Sequence, residues 1–212
     1  MTLYTTKSLM NYTPEQIAEI VLKVLKEVNE PDVLTLSLDE KYELANNTNT
    51  PVETLKVLAT DENVDVRWGV AENPNTPVEL LEVLATDENY NVRYGVAQNP
   101  NTPVETLKVL STDKVSDVRC GVARNPKTPV EIVKILATDN YFWVRYGVAQ
   151  NPNAPVETLK VLATDNYCDV RWGVTQNPNY KTQTLELTQV QYDALKVLLK
   201  SSQDETLKTL TL

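Results

Sequence analysis

A 26-residue unit recurs five times in tandem, without insertions, and it limits what this chain can fold into more than any other feature. The copies begin at Thr50, Thr76, Thr102, Thr128 and Ala154, each followed by Pro-Val-Glu. A unit this short cannot bury an apolar face alone, so neighbouring copies must stack into a solenoid whose core lies between them. We therefore expect an elongated array that carries its function on the surface of the stack.

The first half of each repeat has the sequence of a short helix with a marked start. In the first copy, Pro51 suits the first helical turn, because its missing N–H would have no partner there. Thr50 before it and Glu53 after it have the spacing of a capping box, with Thr50 as the N-cap. Apolar residues at helical spacing extend this first helix over about residues 51–59. Val57 is expected to turn toward a neighbouring repeat.

The second half of each repeat predicts another short helix, around residues 66–71. It must end before Asn73-Pro74, because proline disfavours the helical conformation at the residue that precedes it. At most about two turns remain, and a helix this short is as compatible with 3₁₀ as with α geometry. All five glycines of the chain share one position of this helix: Gly69, Gly95, Gly121, Gly147 and Gly173. Since glycine costs a helix up to about 1 kcal/mol relative to alanine, its recurrence indicates close approach of a neighbouring helix.

An arginine stands two residues before every one of these glycines, and an aspartate stands six residues before every arginine. Arg67 and Asp61 are the first such pair. We expect a ladder of Asp–Arg ion pairs that ties the second helix to the preceding loop or to the next repeat. The alternative, a row of arginines that binds an anion, is weaker because a carboxylate accompanies each guanidinium at fixed spacing.

The repeated wording Asn-Pro-Asn-Thr-Pro-Val-Glu-x-Leu-x-x-Leu-Ala-Thr-Asp, followed by Val-Arg-x-Gly-Val-Ala, resembles the leucine-rich repeat variant family, relatives of HEAT-type repeats. The resemblance covers residues 47–180 and implies an all-α, right-handed α-solenoid of alternating α- and 3₁₀-helices. It implies no common catalytic residues. One member type carries an iron–sulfur cluster on a four-cysteine N-terminal segment, but residues 1–46 of this chain contain no cysteine. No cofactor is therefore expected.

The residues on either side of the array differ from the repeats. Thr13 opens a predicted amphipathic helix suited to covering the first repeat, and Ser37 opens a degenerate half-repeat in which Lys41 stands where arginine recurs. Thr188 restarts a helix that would cap the other end. Such terminal caps keep a solenoid soluble. We divide the chain into an N-terminal cap and half-repeat (1–46), the repeat array (47–180) and a C-terminal cap and tail (181–212).

The composition narrows the classes of function. The chain has no histidine, and its two cysteines, Cys120 and Cys168, fall in different repeats, so neither a zinc site nor the commonest catalytic pairs are expected. No apolar run approaches the roughly 20 residues of a membrane span, and the N-terminus does not resemble a signal peptide. We expect a soluble cytoplasmic protein that is not an enzyme and holds no metal.

Aromatic residues gather around the second helix, at positions that vary between copies. Residue Trp68 lies two positions from both Val66 and Val70, which puts it about 200° around the helix from each and predicts that it points away from the core. The candidate partner-binding residues are Trp68, Tyr90, Tyr94, Cys120, Tyr141, Phe142, Trp143, Tyr146, Tyr167 and Trp172. Alternatively, these rings merely pack between adjacent second helices.

The predicted function is a non-enzymatic scaffold that binds a protein or peptide partner through this aromatic face, because rigid rings bury much area at a small entropic cost. The alternative is nucleic-acid or nucleotide binding through the same face, with bases stacked on the rings. The net charge of −9 disfavours that alternative, and within residues 47–180 acidic residues outnumber basic ones by 17 to 12.

Overall fold

The computed structural model describes residues 33–183, together with Thr13 and Val197. Over this part of the chain the regular elements are all helices, and they form the predicted α-solenoid. The amphipathic helix predicted after Thr13 and the cap helix predicted from Thr188 lie outside the described residues. No helix of the described part is long and apolar enough to cross a membrane.

Every repeat folds into two α-helices. A 3₁₀ turn at Val33–Thr35 precedes helix α1 (Leu38–Asn46), and a short helix α12 (Pro178–Gln183) follows the repeats. The repeats contribute α2 (Val52–Leu58) and α3 (Val64–Glu72), α4 (Val78–Leu84) and α5 (Tyr90–Gln98), α6 (Val104–Leu110) and α7 (Ser116–Arg124), α8 (Val130–Leu136) and α9 (Phe142–Gln150), and α10 (Val156–Leu162) and α11 (Cys168–Gln176). The second helix of each pair is thus α-helical and, at nine residues against seven, the longer one.

The second helix is longer than the sequence analysis predicted because of how it begins. In α3 the Asn63 side chain accepts a hydrogen bond from the backbone N–H of Asp65 at 2.8 Å. The Asp61 carboxylate in turn accepts one from the Asn63 N–H at 2.9 Å. Asparagine is a favoured N-cap because its side-chain oxygen satisfies a free N–H of the first turn. Helix α3 starts at Val64, two residues before the predicted start. Helices α7, α9 and α11 start at the same position of their repeats without a side-chain cap, so the bond to the aspartate is the feature that all five starts share.

The capping box predicted at the start of the first helix does not form. Pro51 itself occupies the N-cap position of α2, and no side chain caps it. The Thr50 hydroxyl instead donates a hydrogen bond to the Leu44 carbonyl of the preceding helix at 2.6 Å. The last carbonyls of a helix lack intrahelical partners, so this threonine fastens the end of one helix to the start of the next. A capping box does form at α1, between Ser37 and Glu40.

The repeats stack through their second helices at the recurring glycine. A Cβ atom placed on Gly95 would lie 3.0 Å from the Cβ of Ala71 and 2.9 Å from the Trp68 ring, and one on Gly121 would lie 2.9 Å from the Cβ of Ala97. These separations are shorter than ordinary van der Waals contact, so a side chain there would push the helices apart. The predicted close approach is confirmed.

The first helices cover the other side of this stack. Leu55 and Leu58 of α2 are fully buried against the second helices. Val57 was expected to turn toward a neighbouring repeat, but it is exposed, and its counterpart Val109 keeps 65% of its surface. The prediction was wrong because the repeats approach each other through their second helices, which leaves this position of the first helix facing solvent.

A buried asparagine at the end of each second helix links consecutive repeats. The Asn73 side chain donates hydrogen bonds to the carbonyls of Ala45 at 2.7 Å and Asn47 at 3.0 Å. The same pair of bonds recurs at Asn99, Asn125, Asn151 and Asn177. The sequence alone predicts only that the helix ends before Asn73-Pro74. The second role of Asn73 is to supply a donor to the carbonyl of the buried Ala45 and a further donor to the Asn47 carbonyl, which also accepts from the Thr50 N–H.

Within the described residues, the predicted ladder of ion pairs is confirmed for four of the five arginines, and the aspartate of each pair belongs to the next repeat. Arg67 donates to the Asp87 carboxylate of the next repeat, through Nε at 2.7 Å and Nη2 at 3.1 Å. Asp61, six residues before it, contributes its backbone carbonyl, which accepts from Nη1 at 2.8 Å. The later pairs are Arg93–Asp113, Arg119–Asp139 and Arg145–Asp165. Lys41 stands in for arginine and binds Asp61 at 2.8 Å.

Candidate partner-binding groove

The candidate residues divide by exposure on the second-helix face, the surface formed by the outward side chains of α3, α5, α7, α9 and α11. The exposed ones are Tyr90, Tyr141, Trp143, Tyr167 and Trp172. The half-buried ones are Trp68, Tyr94, Phe142 and Tyr146, all of which pack against the core, while Cys120 is buried. The half-buried members of the set therefore pack between adjacent second helices, whereas the exposed members form free surface.

The half-buried rings at the Trp68 position lie on the glycine of the following repeat. Tyr94 approaches Gly121 with a ring carbon 3.2 Å from where a Cβ would stand, and Tyr146 lies over Gly173 in the same way. Each of these tyrosines also accepts a hydrogen bond from the glutamine one turn later, as Gln98 donates to the Tyr94 hydroxyl at 2.9 Å. Burial raises the pKa of the Tyr94 hydroxyl. These rings close the gap between successive helices.

The third repeat breaks this arrangement. Cys120 occupies the ring position, and the space next to Gly147 is bordered instead by the Cys120 carbonyl and the side chains of Ala123 and Arg124. The Cys120 thiol donates to the Trp143 carbonyl at 3.3 Å, and burial raises the pKa of that thiol. A groove of about 390 Å³ lies beside Cys120. It is lined by Tyr90, Asn91, Tyr94, Asp117, Cys120, Arg124 and Trp143.

Three lining residues depart from what the other four repeats carry at the same position. Cys120 replaces an aromatic residue, Arg124 replaces glutamine or glutamate, and Trp143 replaces aspartate or asparagine. Positions that every repeat shares maintain the stack, whereas departures are free to serve a particular ligand. The three departures are scattered over the third and fourth repeats in sequence, yet the fold brings them together in one groove.

Arg124 differs from the ladder arginines in its surroundings. No carboxylate in the described part of the chain forms an ion pair with it, and its Nε is buried without a hydrogen-bond partner there. Its guanidinium lies over the Tyr146 ring, 5.7 Å from the centroid. The sequence places Arg124 on the outward side of the second helices, but neither it nor Asn91 nor Asp117 was among the predicted partner-binding residues. Arg124 stands out only when the five repeats are compared position by position, because the other four have glutamine or glutamate there.

The fourth repeat adds a continuous aromatic cluster beside the groove. Phe142 stacks on Tyr167 with centroids 4.5 Å apart and planes 7° from parallel. Trp143 contacts Phe142 at 4.8 Å and meets Tyr146 edge-on at 5.5 Å. Tyr141 lies 5.9 Å from Phe142. The structure thus brings five of the predicted residues into mutual contact, and their packing holds Trp143 in place on one wall of the groove.

The groove combines aromatic walls with one side-chain charge of each sign. Its walls are the rings of Tyr90, Tyr94 and Trp143, a carboxylate stands at one end in Asp117, and a guanidinium stands at the other in Arg124. Within the described residues, no group of three or more acidic or cysteine side chains is placed to hold a metal ion. Both cysteines of the chain are free thiols, Cys120 buried and Cys168 exposed.

Comparison with known proteins shows which known architecture this chain resembles. The family model described as "Leucine rich repeat variant" matches residues 64–89. A solved structure described as a leucine-rich repeat variant with a novel repetitive protein structural motif is 25% identical, with a TM-score of 0.53, and the match covers 95% of this chain and 76% of that one. The resemblance to the leucine-rich repeat variant family is confirmed. The leucine-rich repeat variant architecture accounts for the stacked helix pairs described above.

Another similar structure is an engineered protein, 20% identical with a TM-score of 0.43, over 77% of this chain and 97% of its own. No curated protein matches the sequence. These comparisons show a likeness of architecture.

Proposed function

We propose that the chain is a non-enzymatic scaffold that binds a protein partner as an extended segment along the second-helix face, with the groove above Cys120 as its anchor point. One observation carries the proposal: Cys120, Arg124 and Trp143 each depart from the repeat pattern and line the same groove. Departures that served only packing would have no reason to converge on an open space.

The groove has the dimensions and walls of a side-chain pocket. Its volume of about 390 Å³ falls within the range of roughly 300–1,000 Å³ typical of small-ligand sites. The neighbouring rings already contact one another, so a partner that packs on Trp143 orders few additional side chains. Pre-ordered aromatic residues are the usual anchors of protein interfaces, because they bury much area at a low entropic cost.

The charges favour a protein partner over nucleic acid, the alternative occupant of the same face. The arginines Arg67, Arg93, Arg119 and Arg145 each bind an aspartate of the next repeat, so they do not offer free charges to phosphates. The net charge of −9 opposes phosphate binding at long range. We therefore rank nucleic-acid binding below protein binding.

A displayed library of random 12-residue peptides, selected on the immobilised full chain, tests the proposal. The recovered peptides are then measured against the Cys120→Tyr variant, which carries at the groove the residue that Tyr94 and Tyr146 provide in their own repeats. We expect recovered peptides to lose binding to Trp143→Ala and to keep it with Val109→Thr, a change at an exposed position on the opposite helix of the third repeat. Peptides that bind Cys120→Tyr as well as the original chain would overturn the groove as the anchor.

A further inference from the structure

Two neighbouring positions change together in the third repeat. In the second and fourth repeats a tyrosine and the glutamine four residues later form a hydrogen bond, Gln98 to Tyr94 and Gln150 to Tyr146. In the third repeat this pair becomes Cys120 and Arg124. The first change removes a ring beside the groove, and the second places a guanidinium at its edge, near the Tyr94 hydroxyl.

The position of Arg124 gives the groove a polarity. It is the last residue of α7, and Asp117 lies seven residues earlier, so about 10 Å of helix separates the two along its axis. Cys120 and the open space above it lie between them. The groove thus presents a positive charge at one end, an aromatic-walled space in the middle and a negative charge at the other end.

The guanidinium is suited to one class of ligand. Arginine binds a carboxylate through parallel N–H donors, and the ladder pair Arg67–Asp87 shows this geometry through Nε and Nη2. At Arg124 the Nε is buried and unpaired, and no described carboxylate reaches the guanidinium. We infer that Arg124 receives an aspartate or glutamate side chain of the partner segment, whose neighbouring apolar side chain fills the space above Cys120.

The carboxylate belongs to a side chain inside the partner segment, not to a chain end. Exposed rings continue on both sides of the groove, with Tyr90 on one side and Trp143, Tyr141 and Tyr167 on the other. A chain that ended at Arg124 would leave one of these surfaces without a contact. This inference rests on the proposed scaffold function and names the chemistry that the groove selects.

Blocked tetrapeptides test this assignment, since they carry no terminal charge. The ¹⁵N-labelled full chain is titrated with acetyl-Ala-Phe-Glu-Ala-amide and with acetyl-Ala-Glu-Phe-Ala-amide. The same two peptides with glutamine in place of glutamate are titrated in parallel. The NMR signals of the Arg124 Nε–H and of the Trp143 indole N–H are the readout. We expect the better glutamate peptide to bind about tenfold more tightly than its glutamine counterpart, as for a partly exposed charged hydrogen bond. Arg124→Gln should remove this difference, and Arg124→Lys should retain only part of it.

The control is Lys127→Asn, which also removes one positive charge from the third repeat but does not line the groove. Both Arg124→Gln and Lys127→Asn install a residue that other repeats carry at that position, so both variants should fold. Lys127→Asn should keep the preference for glutamate.

Three outcomes would overturn the inference. Equal binding of the glutamate and glutamine peptides would remove carboxylate recognition while leaving the groove a peptide site. Tighter binding of acetyl-Ala-Phe with a free C-terminus than of the blocked peptides would assign Arg124 to a chain end. Absence of any binding would reject the tetrapeptide chemistry, whereas the library selection would still decide whether the face is a scaffold.

Discussion

The Arg67 guanidinium joins three segments of two repeats, because it holds the Asp87 carboxylate of the next repeat at 2.7 and 3.1 Å and the Asp61 carbonyl of its own loop at 2.8 Å. The Asp87 carboxylate also accepts a hydrogen bond from the N–H of Asn89, which opens the next second helix. One ion pair thereby sets the position of two consecutive helices. Repetition of this unit along the array couples each repeat to its neighbour.

Loss of one carboxylate from this ladder should destabilise the array strongly. Arg93 and Asp113 form the most enclosed pair, with 9% of each side chain exposed. Asp113→Asn leaves the buried guanidinium without its counter-charge, so we expect the free energy of unfolding to fall by about 3–5 kcal/mol. Glu53→Gln, which breaks the exposed pair with Lys56, should change it by less than about 1 kcal/mol. Urea unfolding of both variants measures the difference, and similar effects would contradict a structural role for the ladder.

The ladder also predicts that the protein is sensitive to acid. Burial alone raises the pKa of Asp87, but the hydrogen bonds from Arg67 and Asn89 and the charges of Arg67 and Arg93 outweigh it, so this pKa lies below its ordinary value. The pKa values of Asp113, Asp139 and Asp165 are lowered in the same direction by their own arginines.

A lowered pKa in the folded state means that the unfolded chain binds more protons in acid. The stabilisation is therefore complete above the unfolded pKa of about 3.9 and is lost as the pH falls through the lower folded values. We expect the melting temperature to decline steeply below about pH 4, and Asp87→Asn to reduce that slope. Calorimetric melts from pH 7 to pH 2 check this, and a flat profile would count against the pairing.

Trp143 and Tyr146 should separate binding from stability. Trp143 keeps 42% of its surface, so Trp143→Ala should lower the free energy of unfolding by less than about 1 kcal/mol. Tyr146 lies against Gly173, and its removal opens a gap between α9 and α11, so Tyr146→Ala should cost about 2 kcal/mol or more. Chemical unfolding of the two single variants is the measurement. A large loss for Trp143→Ala would mean that this ring is structural and not part of a binding surface.

The repeat period was enough to predict the α-solenoid, but it did not identify which side chains contact each other across neighbouring repeats. The recurring glycine predicted a close helix contact because only a missing side chain explains its cost, and Gly95 against Ala71 confirms it. The sequence leaves the partner of Arg67 open, since Asp61 is nearer in sequence whereas the Asp87 carboxylate binds it in the structure. Thr50 was predicted to be the N-cap of the helix that follows it. A threonine hydroxyl at this position can cap that helix or bind a carbonyl of the preceding helix, and the sequence does not distinguish the two.

The candidate groove was only partly predictable for a related reason. Cys120 and Trp143 stood out within their own repeats, whereas Arg124 has meaning only beside Gln98, Gln150 and the cysteine one turn before it. An open space is a property of two neighbouring repeats. Its recognition required the positions of side chains from α5, α7 and α9 in the folded array, which the sequence does not contain.

If the groove is kept open for a ligand, closing it should make the protein more stable. The double variant Cys120→Tyr with Arg124→Gln restores the hydrogen-bonded pair of the second and fourth repeats and places a ring over Gly147, as Tyr94 lies over Gly121. Burial of that ring should raise the free energy of unfolding by about 1–2 kcal/mol, whereas peptide binding at the groove should disappear. Urea unfolding and a peptide titration on the same preparation measure both effects. A variant that is less stable than the original chain would show that Cys120 and Arg124 are an adaptation of the packing, and the reason for placing a binding site there would be lost.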